Sequence, residues 1–234
     1  MDATDEINVF FARMMQAQAA IETIADDSFQ RSLLLSLLDI LARCAFPNAK
    51  TNRDRFVMTI DSYSTWQTKE RYGLLQLRHR IANIRDPLNY STLPDLERDI
   101  QARIIRWPAH STLVFPDDVD PTRQELQPYF SDDLEKLLES VRYPGLLWTI
   151  RNYAVHELRH PGGGMDFELG RPEPYYHGLK WDETGKYTWE LFFPIAFIAK
   201  LVADCATNLK RHCLMTMTTP WNSFPLRPDW YAGT

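Results

Sequence analysis

Apolar residues recur along this chain at three-to-four-residue spacing, and that period is broken only once by alternation. Phe10, Met14, Ala17, Ile21 and Ile24 mark a first helix; Leu34, Leu37, Leu38, Leu41 and Ala45 mark a second, with Ser28 as its candidate cap. The second is apolar nearly all round, as a central helix would be, and Pro47-Asn48 closes it. Asn52 is the candidate cap of a third helix carrying Phe56, Ile60 and Tyr63. A fourth spans about Lys69 to Arg85 on Leu74, Leu77, Ile81 and Ile84, with Arg71, Arg78 and Arg85 together on another face.

Between residues 86 and 128 the pattern weakens. A helix near Asp95 to Arg106 is expected there, followed by a Pro- and Asp-rich stretch that reads as an irregular insertion or lid. Ser131 should cap a short helix to about Arg142, and Pro144 should open another that runs to about His160, where Pro161 and three glycines stop it. From Tyr175 the period becomes two. Tyr175, His177, Leu179 and Trp181, then Tyr187, Trp189, Leu191 and Phe193, predict a β-hairpin over 175–193. Pro194 opens a last helix on Ile195, Ile198, Val202, Cys205 and Leu209. The expected fold is mainly α, with one domain over 1–214 and a Trp-bearing tail over 215–234.

Composition narrows the class. At 234 residues with 44% hydrophobic and 24% charged positions the chain can bury a core without disulfides, and Cys44, Cys205 and Cys213 lack metal or redox spacing. They read as packed thiols in a reducing compartment. The start is acidic, without the basic and apolar regions of a signal peptide, and no apolar run approaches membrane length; a cytoplasmic protein without membrane contact is expected.

Net charge is −5, which argues against a general nucleic-acid coat protein. Residues 117–139 concentrate eight acids against two bases, which leaves the rest of the chain at +1 and permits a locally basic site.

The chemistry-bearing segment is Arg151 to Asp166. One reading takes Arg151, Asn152 and His156 as R-N-x-x-x-H. On a helix Asn152 and His156 share a face, while Arg151 and His156 stand about 140° apart, within reach of one phosphate through the long Arg stem. A histidine can move the proton of an RNA 2′-hydroxyl and a guanidinium can hold charge building on phosphorus, so this set requires no metal or cofactor. One histidine cannot be base and acid in a single step; a two-fold dimer presenting two copies of His156 would supply both.

The order of helices, the Leu-rich run Ser32 to Leu41, the Asn52-Arg53-Asp54-Arg55-Phe56 segment and Arg151-Asn152-x-x-x-His156-Glu157 ahead of a final helix resemble the HEPN superfamily, in particular its prokaryotic mobile-element branch. The resemblance covers about residues 5 to 213. It implies a helical bundle, here with the β-hairpin inserted before the last helix, that dimerises through the motif helix. It also implies a metal-independent endoribonuclease of toxin or antiphage type, with Arg151 and His156 as the catalytic pair and Asn152 as the polar residue after the arginine. RNA would be the substrate, and an antitoxin or regulatory protein a possible partner. Some members are non-catalytic dimerisation or binding modules, and that alternative stays open. Arg159, His160 and Arg78 are secondary candidates for holding substrate, against a bland reading of each as helix-end or solvated charge.

The second motif reading takes His156-Glu157-Leu158-Arg159-His160 as H-E-x-x-H, extended by Gly163 and Asp166 into a zincin-like metalloprotease pattern. It requires His156 and His160 on successive turns of one helix, and Pro161 opposes that geometry. Trp221, Phe224, Trp230 and Tyr231 in the tail could stack bases or dock on their own domain; docking is the commoner use.

Overall fold

The computed structural model describes residues 2–84, 91–107, 113–162, 172–180 and 187–224. It is mainly helical, with a small antiparallel sheet whose hairpin precedes the last helix. Its contacts divide the chain into two compact units.

The first unit comprises residues 2–65, 154–158 and 198–224. It contains α1 (Ala3–Ile21), α2 (Asp27–Ala45), α3 (Asn52–Tyr63) and most of α10 (Ile195–Thr216). The helix starts differ slightly from the expected caps. Asp26, not Ser28, caps α2, accepting the Phe29 N–H at 2.9 Å; Thr51, not Asn52, caps α3, accepting from Asp54 N at 3.0 Å. A cap residue must sit outside the helix in extended geometry, so an earlier Asp or Thr serves, two residues before Ser28 in α2 and one before Asn52 in α3. α1 ends at Ile21, and Ile24 lies beyond it.

α2 is central to this unit. Leu34, Leu35, Leu38 and Leu41 are fully buried on it, and it packs against both α1 and α3. Polar ties pin the last helix: Gln18 Nε2 donates to Ala199 O at 3.0 Å and Asn208 Nδ2 to Tyr63 O at 2.8 Å. The described part of the tail docks here, with Trp221 edge-on to Phe10 at 5.1 Å and Phe224 stacked on Phe10 at 6.3 Å. Trp230 and Tyr231 lie outside the described residues.

The second unit comprises the described residues of 66–153 and 159–197. It contains α4 (Leu74–Ala82), α5 (Leu93–Ile105), β1 (Leu113–Val114), α6 (Pro116–Val119), α7 (Arg123–Leu126), α8 (Asp132–Val141), α9 (Tyr143–Glu157) up to Tyr153, β2 (Tyr175–Lys180) and β3 (Tyr187–Phe192). The fourth helix is shorter than its periodicity suggested. Lys69 to Gly73 instead runs between two other segments: Tyr72 N donates to Pro121 O, Gly73 N to Val141 O, and Tyr143 N to Arg71 O, each at 2.9–3.0 Å. Those backbone groups are used across the fold and cannot also serve a helix. A Cβ on Gly73 would stand 2.6 Å from Gln76 Oε1 and 2.7 Å from Leu146 Cδ1, so the side chains of α4 and α9 fill the space that glycine leaves.

The hairpin forms in the register Tyr175 opposite Phe192 and His177 opposite Glu190, and β1 joins β2 as a third antiparallel strand. That strand comes from the segment expected to be irregular. Tyr175 and Tyr176, neighbours pointing to opposite faces, are both fully buried, so the sheet is covered on both sides here. α9 and α10 start where Pro144 and Pro194 placed them, but α9 ends at Glu157, because Leu158 adopts a left-handed φ of 51°.

Candidate functional site

The α9 motif divides at Tyr153. In the second unit, Arg151 and Asn152 come together: Arg151 Nη1 donates to Asn152 Oδ1 at 3.1 Å, and the guanidinium carbon lies 5.0 Å from the Trp148 ring centroid. Both residues are half-buried. The ring and the side-chain amide hold the guanidinium in place. His156 stands on the last turn of the helix, exposed and in its first-unit portion.

The end of α9 at Glu157 bears on the H-E-x-x-H geometry. His160 lies three residues past the helix and is not one helical turn above His156, so the i, i+4 pair that H-E-x-x-H demands is not formed. Gly163 and Asp166 lie outside the described residues. Among the described residues no group of three His, Cys, Asp or Glu side chains is arranged to hold a metal ion.

The other candidates disperse. Arg159 is exposed, with its guanidinium carbon 4.3 Å from the Tyr153 ring centroid. Arg78 is exposed on α4, beside His79 and Arg80. The expected stripe with Arg71 does not form: Arg71 precedes α4 and pairs with Asp117 at 2.9 Å, and Arg85 is outside the described residues. The acidic run 117–139 draws other arginines as well. Arg103 meets Glu125 at 2.9 Å, while Glu139 takes Arg123 at 2.7 Å and Arg142 at 2.8 Å. The acids that left the rest of the chain slightly basic thus bind part of that basic surplus.

His160 has a different setting from a helix-end charge. Its Nδ1 is 2.8 Å from Glu190 Oε1, and His177 Nε2 is 3.3 Å from Glu190 Oε2; the three side chains are 5, 4 and 11% exposed for His160, His177 and Glu190. Nδ1 also lies 3.2 Å from Gly162 N. One ring nitrogen cannot donate to the first and accept from the second, and the shorter contact to a carboxylate takes the proton. Glu190 therefore fixes the tautomer of His160 with the proton on Nδ1. Gly162 is needed for this closeness, because a Cβ there would be 2.0 Å from Glu190 Oε1. His160, Gly162 and Glu190 line a cavity of about 250 Å³ together with Gln76 of α4, Leu146 and Ile150 of α9, and Trp189 of β3.

A second buried polar cluster is built on Asp120. Its carboxylate accepts the hydroxyls of Tyr143 and Tyr176, the latter at 2.8 and 3.0 Å to its two oxygens, and the Leu74 N–H at 2.9 Å. Burial pushes the carboxyl up from 3.8 to about 7, against the pull of those donors and of Arg71. This carboxyl ties α4, α9 and β2 together and contacts no open space.

Sequence reasoning missed both clusters. Glu190 and His177 are cross-strand partners, a relation visible only once the hairpin register is known, and Asp120 is one of many acids in its run. Comparison with family models, with curated proteins and with solved structures gave no match.

Proposed function

We propose that the chain is a metal-independent endoribonuclease of HEPN type that works through Arg151, Asn152 and His156. The observation that carries this reading is the state of α9: a guanidinium already positioned by Asn152 Oδ1 and Trp148, on a helix whose last turn exposes His156. A positioned cation and an accessible imidazole are what an in-line attack on phosphorus asks of a protein that uses no metal.

His156 takes the proton of a 2′-hydroxyl, the 2′-oxygen bonds to the adjacent phosphorus, and the phosphorus–O5′ bond breaks. The 5′-oxygen leaves with a proton from a second acid, supplied in a two-fold dimer by the partner's imidazole. Arg151 offsets the charge on the phosphoryl oxygens, and Asn152 acts by holding Arg151. Single-stranded or loop RNA fits this chemistry, because an in-line 2′-hydroxyl requires a backbone free to turn.

The test compares wild type with Arg151→Ala and His156→Ala on structured RNA, alongside sedimentation of each. Loss of cleavage by at least a hundredfold with unchanged association supports the enzyme. Absence of cleavage from wild type, with both substitutions disrupting association, would replace it with a non-catalytic dimerisation module.

A further inference from the structure

The stretch after α10 turns back onto α1 and α2 through a reversal that its own residues do little to make. α10 ends at Thr216, and Met217 adopts a left-handed φ of 53°. Thr218 N donates to Cys213 O at 3.0 Å, the closing bond of a helix stop whose left-handed position is ordinarily glycine. Residues 214–219 read Leu-Met-Thr-Met-Thr-Thr and hold neither glycine nor proline. An L-residue in that conformation gives up roughly tenfold in population against its right-handed helical one. The side chains of the turn do not offset this. Met215 and Met217 are 72 and 55% exposed, and the Thr219 hydroxyl is buried with no hydrogen-bond partner among the described residues.

What holds the reversal is the segment beyond it. The short 3-10 turn Pro220–Ser223 packs on α1 and α2, where Phe10 meets Trp221 edge-on and Phe224 in a stack. An arginine covers each tail ring: the guanidinium carbon of Arg13 lies 5.8 Å from the Trp221 ring centroid and that of Arg43 lies 5.2 Å from the Phe224 ring centroid. Arg43 Nε also donates to Ser223 O at 3.0 Å. These contacts join residues 221–224 to a receptor made of Phe10, Arg13 and Arg43, and Met217 takes no part in them. They are the same whichever copy of the chain supplies the segment.

We propose that a second copy of this chain is the partner of the α1–α2 surface: two chains exchange residues 220–224, each laying Trp221 and Phe224 on Phe10, Arg13 and Arg43 of the other, with Met217 straightened as the hinge. Receptor and insert are present on every copy, so the exchange is reciprocal and closes with two-fold symmetry. The exchanged dimer keeps the ring contacts and the Arg43 hydrogen bond while two left-handed methionines relax. Strain in a short hinge is the feature that favours exchange over closure within one chain. The residues involved all lie in the first unit, and the exchange does not depend on the α9 motif cleaving RNA.

Association of the full chain is measured by sedimentation equilibrium up to about 1 mM. Isotope-filtered NMR is then recorded on an equal mixture of chains refolded together, one carrying isotope-labelled phenylalanine and the other unlabelled. The expected result is a reversible dimer with nuclear Overhauser effects from Phe10 of the labelled chain to Trp221 of the unlabelled one. Met217→Gly takes the left-handed turn without cost and should weaken association at least about tenfold; Met217→Val, β-branched and worse in that turn, should tighten it by about the same factor, with circular dichroism unchanged in both. A chain that stays monomeric throughout, a dimer whose Phe10–Trp221 effects are all within one chain, or one association constant for all three proteins would overturn the proposal. A dimer with only intrachain effects would leave the two-fold pairing of His156 standing, so the two readings fail separately.

Discussion

Asp120 gives a prediction whose sign and size both follow from its surroundings. In the folded chain burial raises its carboxyl from 3.8 to about 7, with the Tyr143 and Tyr176 hydroxyls and the Leu74 N–H opposing. Between those values the folded state holds a proton that the unfolded state has released, so the stabilisation is complete below about pH 4 and is lost as pH rises towards 7. Over pH 4.5 to 7.5 the change is worth roughly 3 kcal/mol at about 1.4 kcal/mol per unit. Asn at this position imitates the protonated acid and cannot titrate. Urea unfolding of wild type and Asp120→Asn across that range isolates the contribution, since every other group cancels in the difference. Wild type should lose stability relative to the variant by roughly 3 kcal/mol as pH rises. A difference that stays flat, or that favours wild type at high pH, would refute the claim that burial outweighs the three donors. Asp120→Ala should be worse than Asn at every pH, because it strands two tyrosine hydroxyls and a backbone N–H at about 1–3 kcal/mol each.

Other outcomes follow from single contacts. Gly162→Ala places a Cβ 2.0 Å from Glu190 Oε1 and should cost about 1–3 kcal/mol in denaturant unfolding, with altered His160 resonances. Phe10→Ala removes the ring that contacts Phe11, Trp221 and Phe224, and should cost about 3–5 kcal/mol and increase proteolysis of the tail. Cys44, whose thiol is pushed up to about 12 mainly by burial and then by Cys213, should react with a disulfide reagent at pH 8 roughly a thousandfold more slowly than a free thiol, and normally after denaturation.

The elements that could be read from the chain are those where local chemistry and packing agree. The Leu34 to Leu41 run forms α2, the prolines at 144 and 194 open α9 and α10, and alternation from Tyr175 to Phe193 marks the hairpin. Reading failed where distant segments decide. Lys69 to Gly73 has helical spacing, but its backbone is claimed by Pro121, Val141 and Tyr143. β1 has two residues, too few for any period, and exists because β2 offers an edge. The same holds at the sites. Arg151 and Asn152 are adjacent in sequence and meet on one helix, so their contact was legible. Glu190 meets His160 and His177 through a hairpin register and the end of the helix at Glu157, which no spacing encodes.

The central claim is tested most directly by the ends of the RNA products. Purified wild-type protein and His156→Ala are incubated with end-labelled structured RNA in excess EDTA, and the fragments are resolved by mass spectrometry. The account predicts 2′,3′-cyclic phosphate and 5′-hydroxyl ends from wild type and none from the variant. Intact RNA in both reactions, or fragments that His156→Ala produces equally, would contradict it.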